Sequence, residues 1–277
     1  MDNTPTIHQI WLGDHPMPTQ FTDTWNNIPG TSHHIHRTPF TTPLQNQTLY
    51  DSTTHKYNMK SDILRLEILE RYGGVYLDTD IIRLCTDHVA RTSFQEWTAD
   101  GRLFLVQEKR GLVSNSFLLC HPGNSVISEF IAELVDVPAE GGVWQLTGPG
   151  RLTNFLLRKE YITNENPLLF GSTDKVVVLP HYIFNAGLDL TKTHFTRRIP
   201  DDEEYTKFVL SAKKNKDVQF VQRGNEIDSS LVLGIQMWMG GKATVYGKIN
   251  SNSFHTVYQN VRRYKNNVLP AITARYT

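Results

Sequence analysis

The stretch that most constrains this chain runs from Ser61 to Asp80. Ser61 to Tyr72 reads as a helix. Ser61 is placed to cap its N-terminus and Asp62 falls in the first turn, where the helix dipole favours negative charge. Ile63, Leu64, Leu66, Ile68 and Leu69 give it a broad apolar face. Gly73-Gly74 supplies the left-handed stop. Val75-Tyr76-Leu77 is then a short buried strand that ends on Asp78-Thr79-Asp80 and resumes as Ile81-Ile82. A capped helix, two glycines, an apolar strand and paired carboxylates make a tight and unusual sequence of parts.

The rest of the chain is read against that segment. Thr6 to Leu12 is a first strand closed by Gly13-Asp14, and Thr38 to Thr48 reads as a loop. Leu103 to Gln107, Phe117 to Cys120 and Val176 to Leu179 are strands. Ser125 to Val135 is helical by period, and Gly148-Pro149-Gly150 is a turn before a helix through Leu157. Thr191 to Asp217 is polar and reads as a surface excursion. Alternating strands and helices predict an α/β fold with a mostly parallel central sheet flanked by helices. In such sheets ligands sit at the carboxyl ends of strands, which is where Asp78 and Asp80 fall. A single domain over residues 1–277 is expected, with a donor-binding part over about 1–125 and an acceptor-side and C-terminal part over about 126–277.

Composition narrows the partners. The chain has 28 basic and 28 acidic residues, so its balance gives no reason to expect nucleic acid or a charged membrane surface. No run approaches the ~18 apolar residues of a membrane span. The first residues carry neither a basic nor an apolar leader segment. Cys85 and Cys120 lie in or beside apolar runs and are expected as reduced, buried thiols, consistent with a cytoplasmic setting. The Asn-x-Thr triplet at Asn46 is silent there.

Asp78 and Asp80 are two residues apart in extended chain, so both carboxylates point to one side. Like charges that close repel unless a cation or shared proton separates them. A hard divalent ion, Mn²⁺ or Mg²⁺, satisfies them and keeps open positions for phosphate oxygens. A diphosphate bridged by that ion becomes a good leaving group. Asp-x-Asp alone is a weak signal, since a polar turn at a strand end looks the same. Phosphatases of the haloacid dehalogenase type also place Asp-x-Asp after a strand, usually with Thr two residues past the second Asp. Here that position is Ile82.

Lys60-Ser61-Asp62-Ile63-Leu64-Arg65 and Arg71-Tyr72-Gly73-Gly74-Val75-Tyr76-Leu77-Asp78-Thr79-Asp80 closely resemble the core of the glycosyltransferase sugar-binding-region family that carries the DXD motif. That family includes α1,4-galactosyltransferase-like and capsular enzymes, and it is related to clostridial glucosylating toxins. His8-Gln9-Ile10-Trp11-Leu12-Gly13 is similar to the family's opening strand, and Asn115-Ser116-Phe117 and Thr147-Gly148-Pro149 to later landmarks. The resemblance implies a GT-A fold, a nucleotide-sugar donor such as a UDP-sugar, usually Mn²⁺, and retention of anomeric configuration. It implies that Trp11, with Leu12 beside it, meets the nucleotide base. Asp62 and Arg65 would hold the donor sugar and phosphate side, with Asn115 beside the sugar. Asp78 would contact ribose or metal, and Asp80 would bind the metal directly. Residues three apart on one helix are neighbours, which suits the Asp62–Arg65 pair.

The C-terminal part departs from the family. A His-x-x-Trp-like segment often completes the metal or diphosphate site. The nearest match is Ile235-Gln236-Met237-Trp238, with Gln236 where His is expected as a metal ligand and Lys242 nearby for the diphosphate. His34 and His36 share a strand face, but further zinc ligands are not evident. Transfer of a hexose, first galactose from UDP-galactose, to a glycan or glycoconjugate acceptor is the expected reaction. A non-catalytic nucleotide-sugar or glycan-binding module, modification of a protein side chain, and a place within a multi-domain glycosyltransferase are the alternatives.

Overall fold

A computed structural model describes residues 5–38, 42–53, 57–83, 85–109, 112–135, 142–162, 171–179, 182–185 and 233–236. In chain order the elements are β1 (Thr6–Ile10), α1 (Thr19–Thr22), β2 (Ser32–His36), α2 (Gln47–Ser52), α3 (Tyr57–Tyr72), β3 (Gly74–Leu77) and β4 (Ile81–Arg83). Then come α4 (Asp87–Asp100), β5 (Leu103–Lys109), β6 (Leu112–Cys120), α5 (Ser125–Leu134), α6 (Val143–Leu146) and α7 (Pro149–Arg158). β7 (Gly171–Ser172), β8 (Val176–Leu179), α8 (Tyr182–Asn185) and β9 (Gly234–Gln236) complete the set. They fall into two compact units. The first holds residues 1–15, 25–79 and 90–180, and the second holds 16–24, 80–89 and 181–277.

The first unit is built on a seven-stranded sheet ordered β2-β1-β3-β6-β5-β8-β7. β2, β1, β3, β5 and β8 run one way, and β6 and β7 run against them. This is the expected mostly parallel sheet with flanking helices. Helices α3, α5 and α7 cover it through Ile63, Leu66, Leu69, Ile127, Phe130, Leu152 and Phe155, all in one buried cluster. Phe130 and Phe155 set their ring centroids 4.9 Å apart.

Two glycines fix the passage from α3 to β3. Gly73 and Gly74 both take left-handed backbone, at φ +61° and +87°. A side chain at Gly74 would come within 2.4 Å of the Thr6 carbonyl oxygen, so β1 and β3 approach only because that position is bare.

Three details differ from the sequence reading. Helix α3 begins at Tyr57 rather than Ser61, so Ser61 is no cap and Asp62 lies inside the helix. Burial of Met59 and the seating of Tyr57 against Gly13 extend it by a turn beyond the local capping signal. Pro149 opens α7 instead of forming a turn before it, since proline at the first helical position gives up only a donor that has no helical partner. Ile81-Ile82 does not continue the sheet of β3. β4 pairs with β9 in a separate two-stranded sheet of the second unit. In that unit Arg83 donates from its backbone to Thr24 Oγ1 at 3.0 Å and pairs with Asp87, and Leu233 donates to the Ile183 carbonyl at 2.9 Å.

Helix α4 is not marked in the sequence reading; its Phe94 stacks on Trp25 with ring centroids 6.0 Å apart. Cys85 and Cys120 are buried thiols, as expected. No helix among the described residues is long and apolar enough to cross a membrane.

Candidate active site at the carboxyl edge of the sheet

β6 pairs with β3 on one side and β5 on the other, and its ladder with β5 is interrupted. Leu105 faces Leu118 across the ladder, but the next residue, Val106, faces Ser114. Asn115, Ser116 and Phe117 are therefore looped out with respect to β5. Phe117 pairs instead with Leu77, and the Asp78 amide continues that ladder to the Ser116 carbonyl at 2.9 Å. Such bulges re-aim side chains next to functional sites. This one brings Asn115 beside the end of β3.

Asn115 meets a charged cluster that α3 carries in its buried middle. Asp62 and Arg65 are 6% and 4% exposed. The Asn115 amide donates to Asp62 Oδ1 at 2.8 Å, and Arg65 Nη2 reaches the same oxygen at 2.9 Å. The Thr147 hydroxyl donates to Asp62 Oδ2 at 2.9 Å. Arg65 also donates through Nε to the Ser61 carbonyl and through Nη1 to the Asn115 carbonyl and to Asp78 Oδ1, the last at 3.2 Å. Its guanidinium lies over the Tyr76 ring, 4.4 Å from the centroid, and the Tyr76 hydroxyl donates to Asp78 Oδ1 at 2.8 Å.

Burial pushes the Asp62 carboxyl up to about 6, although Arg65, Thr147 and Asn115 favour its charged form. Burial opposes the Arg65 charge, yet Tyr76, Asp78 and Asp62 outweigh it and hold the guanidinium protonated. The Tyr76 phenol is raised well above its ordinary value, chiefly by burial. Buried charge is costly unless paired and hydrogen-bonded, and here every charge is both.

Asp78 sits at the rim. Its Oδ1 is taken by Tyr76 and Arg65, while Oδ2 accepts no hydrogen bond from any described residue, and the side chain is 28% exposed. Its backbone is tied from below. The buried Gln9 amide donates to the Asp78 carbonyl at 3.2 Å, and Gln9 Oε1 meets His33 Nε2 at 2.9 Å. One anchored oxygen and one open oxygen on a rigid strand end suit a hard divalent cation, which binds through one or two carboxylates and leaves its other positions to water and phosphate.

Trp11 leaves the carboxyl end of β1, the parallel neighbour of β3, so it lies at the same sheet edge as Asp78. It is half-buried, and its indole N–H donates to the His15 carbonyl at 2.8 Å. Leu12 is partly buried and packs against the core. In the second unit, buried Asp80 directly precedes β4, and buried Gln236 pairs with Ile81, so the ladder sets Gln236 one residue from Asp80 across the strands. Lys242 and Trp238 lie outside the described residues. Among the described residues no three His, Cys, Asp or Glu side chains form a metal cage.

The sequence reading thus picked out Asp62, Arg65, Asp78 and Asn115, which the fold joins into one network. It assigned no role to Tyr76, Gln9 or Thr147, the partners that orient them. His34 and His36 do share a face, as alternation predicts. His8 joins them there, with Nδ1 at 3.1 Å from His36 Nε2 and its other nitrogen on the Gly73 carbonyl.

Residues 16–97 match the family described as the glycosyltransferase sugar-binding region containing the DXD motif. No curated protein sequence matches the chain. Among solved structures, the PaToxG glycosyltransferase is similar at 19% identity over 56% of this chain and 68% of its own, with a TM-score of 0.43. The ligand-free glycosyltransferase domain of the YGT toxin is similar at 10% identity over 97% of this chain and 99% of its own, with a TM-score of 0.41. A glycosyltransferase involved in glycosylation of the major capsid of PBCV-1 is similar at 11% identity over 88% and 98%, with a TM-score of 0.42. The matched residues 16–97 include Asp62, Arg65, Asp78 and Asp80, so this part of the chain is similar to the sugar-binding region of the DXD-containing glycosyltransferases.

Proposed function

We propose that this glycosyltransferase moves a hexose from a nucleotide-sugar donor to a glycan or glycoconjugate acceptor with retention of configuration, with UDP-galactose as the first donor to test. The observation that carries the reading is the Asp62–Arg65–Asn115–Asp78 network at the carboxyl edge of the sheet, where α/β folds bind ligands. Ion pairs that serve stability alone have little reason to be this deeply buried and this fully cross-bonded.

In this reading Trp11 offers its ring to the nucleotide base. Asp62 accepts from sugar hydroxyls. Arg65 acts mainly as a positioning residue, because four of its donors are already bound to Asp62, Asp78, Asn115 and Ser61. Asn115 sits beside the sugar, and Lys242 is the candidate cation for the diphosphate. Asp78, Asp80 and Gln236 are the candidate ligands of a divalent cation, Mn²⁺ or Mg²⁺, and Asp78 would offer its open oxygen. Bound there, such a cation neutralises charge on the departing diphosphate. The acceptor hydroxyl attacks the anomeric carbon on the face the diphosphate leaves, and its proton passes to a diphosphate oxygen.

The test is a donor panel. Each common nucleotide-sugar is incubated with the protein and Mn²⁺, with and without EDTA, and release of nucleoside diphosphate is followed. Metal-dependent hydrolysis of one donor, lost in Asp80→Asn, is the expected result. No release and no binding of any donor would leave only a non-catalytic scaffold.

A further inference from the structure

Resting on that reading, we infer that Trp144 is the platform on which a pyranose ring of the acceptor glycan stacks. Trp144 is the one exposed tryptophan among the described residues, at 47%. An isolated exposed aromatic is ordinary, so the case rests on how this one is seated and on what it adjoins.

The seat is Gly150 on α7. A side chain at that position would come within 2.4 Å of the indole Cζ3 and within 2.7 Å of Cη2, so the six-membered ring lies directly on bare backbone. Gly148 closes the same turn, with its amide on the Val143 carbonyl at 2.9 Å. The indole is therefore fixed in place by its own fold and needs no ligand to order it, which lowers the cost of binding one.

Its neighbour is the active-site network. Thr147 is the C-cap of α6, three residues past Trp144, and its hydroxyl donates to Asp62 Oδ2. The other oxygen of Asp62 accepts from Asn115 and Arg65. The short helix that carries the indole thus joins the network at Asp62 Oδ2. With the donor sugar assigned to Asp62 and Asn115, the acceptor must approach beside Asp62, the residue to which this helix is tied. A flat, exposed apolar face matches a pyranose, which offers axial C–H groups on one face.

Trp144→Leu and Trp144→Phe separate a platform from a simple staple between α6 and α7. Leucine preserves apolar packing without a flat face, and phenylalanine keeps the face. Transfer to acceptor and hydrolysis of donor are measured on the full chain. Binding of methyl β-galactoside, lactose, maltotriose, chitotriose and mannobiose is followed by saturation-transfer NMR. We expect Trp144→Leu to raise the acceptor KM about ten-fold and to lower the transfer-to-hydrolysis ratio by a similar factor, with Trp144→Phe close to wild type. Leu and Phe variants with the same KM, or a wild type that engages none of these saccharides, would overturn the inference. A wild type that hydrolyses no nucleotide-sugar yet binds a saccharide through Trp144 supports the platform and refutes the donor reading instead.

Discussion

Replacing Tyr76 by Phe removes a single oxygen from the middle of the network. The ring stays beneath the Arg65 guanidinium, 4.4 Å away, so the cation–aromatic contact survives. What is lost is the 2.8 Å bond from the phenol to Asp78 Oδ1. Hydrogen bonds to a charged group contribute about 1.5–3 kcal/mol. The Asp78 side chain is 28% exposed, so water recovers part of that, and the expected loss of stability is about 1–2 kcal/mol. For a chain of this size that lowers the melting temperature by a few degrees. The effect on function is larger in proportion, because Asp78 is then oriented by Arg65 alone at 3.2 Å. We expect the Mn²⁺ concentration for half-maximal donor hydrolysis to rise about ten-fold, read by titrating metal into chelated protein. Loss of stability with no movement of the metal midpoint would refute the claim that the phenol sets the carboxylate for cation binding. A loss above about 4 kcal/mol would mean that the ring contact, not the hydroxyl, had been disturbed.

Other perturbations test the surroundings. Thr147→Val strands Asp62 Oδ2 in the interior and costs about 1–3 kcal/mol in urea denaturation at pH 8, with a smaller cost at pH 5, where Asp62 takes up a proton of its own. Gly74→Ala drives a methyl into the Thr6 carbonyl and adds left-handed strain, so β1 and β3 separate and the variant loses its cooperative thermal transition. Burial, then the nearby His36 and His34, lower the His8 pKa from 6.5 to about 3, with His33 adding a smaller push. Its contribution to stability is whole above pH 6.5 and is lost as pH falls toward 3, by up to about 1.4 kcal/mol per pH unit. Asp62 works in the opposite sense, adding stability as pH falls from about 6 toward 3.8. Wild type minus His8→Gln isolates the histidine, and the two proteins losing stability in parallel between pH 6.5 and 5 would count against its burial as the cause.

The segment from Asp62 to Asp78 was legible because helix period, paired glycines and apolar strand all point one way at close range. What escaped was long-range. Thr147 lies 85 residues from Asp62, and nothing local marks its hydroxyl as that carboxylate's partner. Tyr76 read only as strand apolarity, because the sequence gives no sign that its ring would lie under Arg65. The start of α3 was misplaced because Ser61 carries a strong local capping signal, whereas burial of Met59 is decided by tertiary packing. The first half of β6 escaped because the polar Ser114-Asn115-Ser116 breaks the apolar pattern, so only Phe117 to Cys120 reads as strand. The carboxylate triplet was seen at once, but not that the chain passes between compact units within it, from Thr79 in one to Asp80 in the other.

The interrupted ladder between β5 and β6 has an evolutionary consequence. Toward β5, Asn115 to Phe117 are slack between two fixed registers, while on the other side Phe117 stays paired with Leu77. Substitutions at Asn115 and Ser116 leave the β5 registers on either side in place, so a descendant of this chain can rewrite these side chains while the core stays put. Sugar preference is thus free to drift at the very place where the strand touches Asp62 and Arg65, and divergence among relatives should concentrate there sooner than in the glycines or the core of α3.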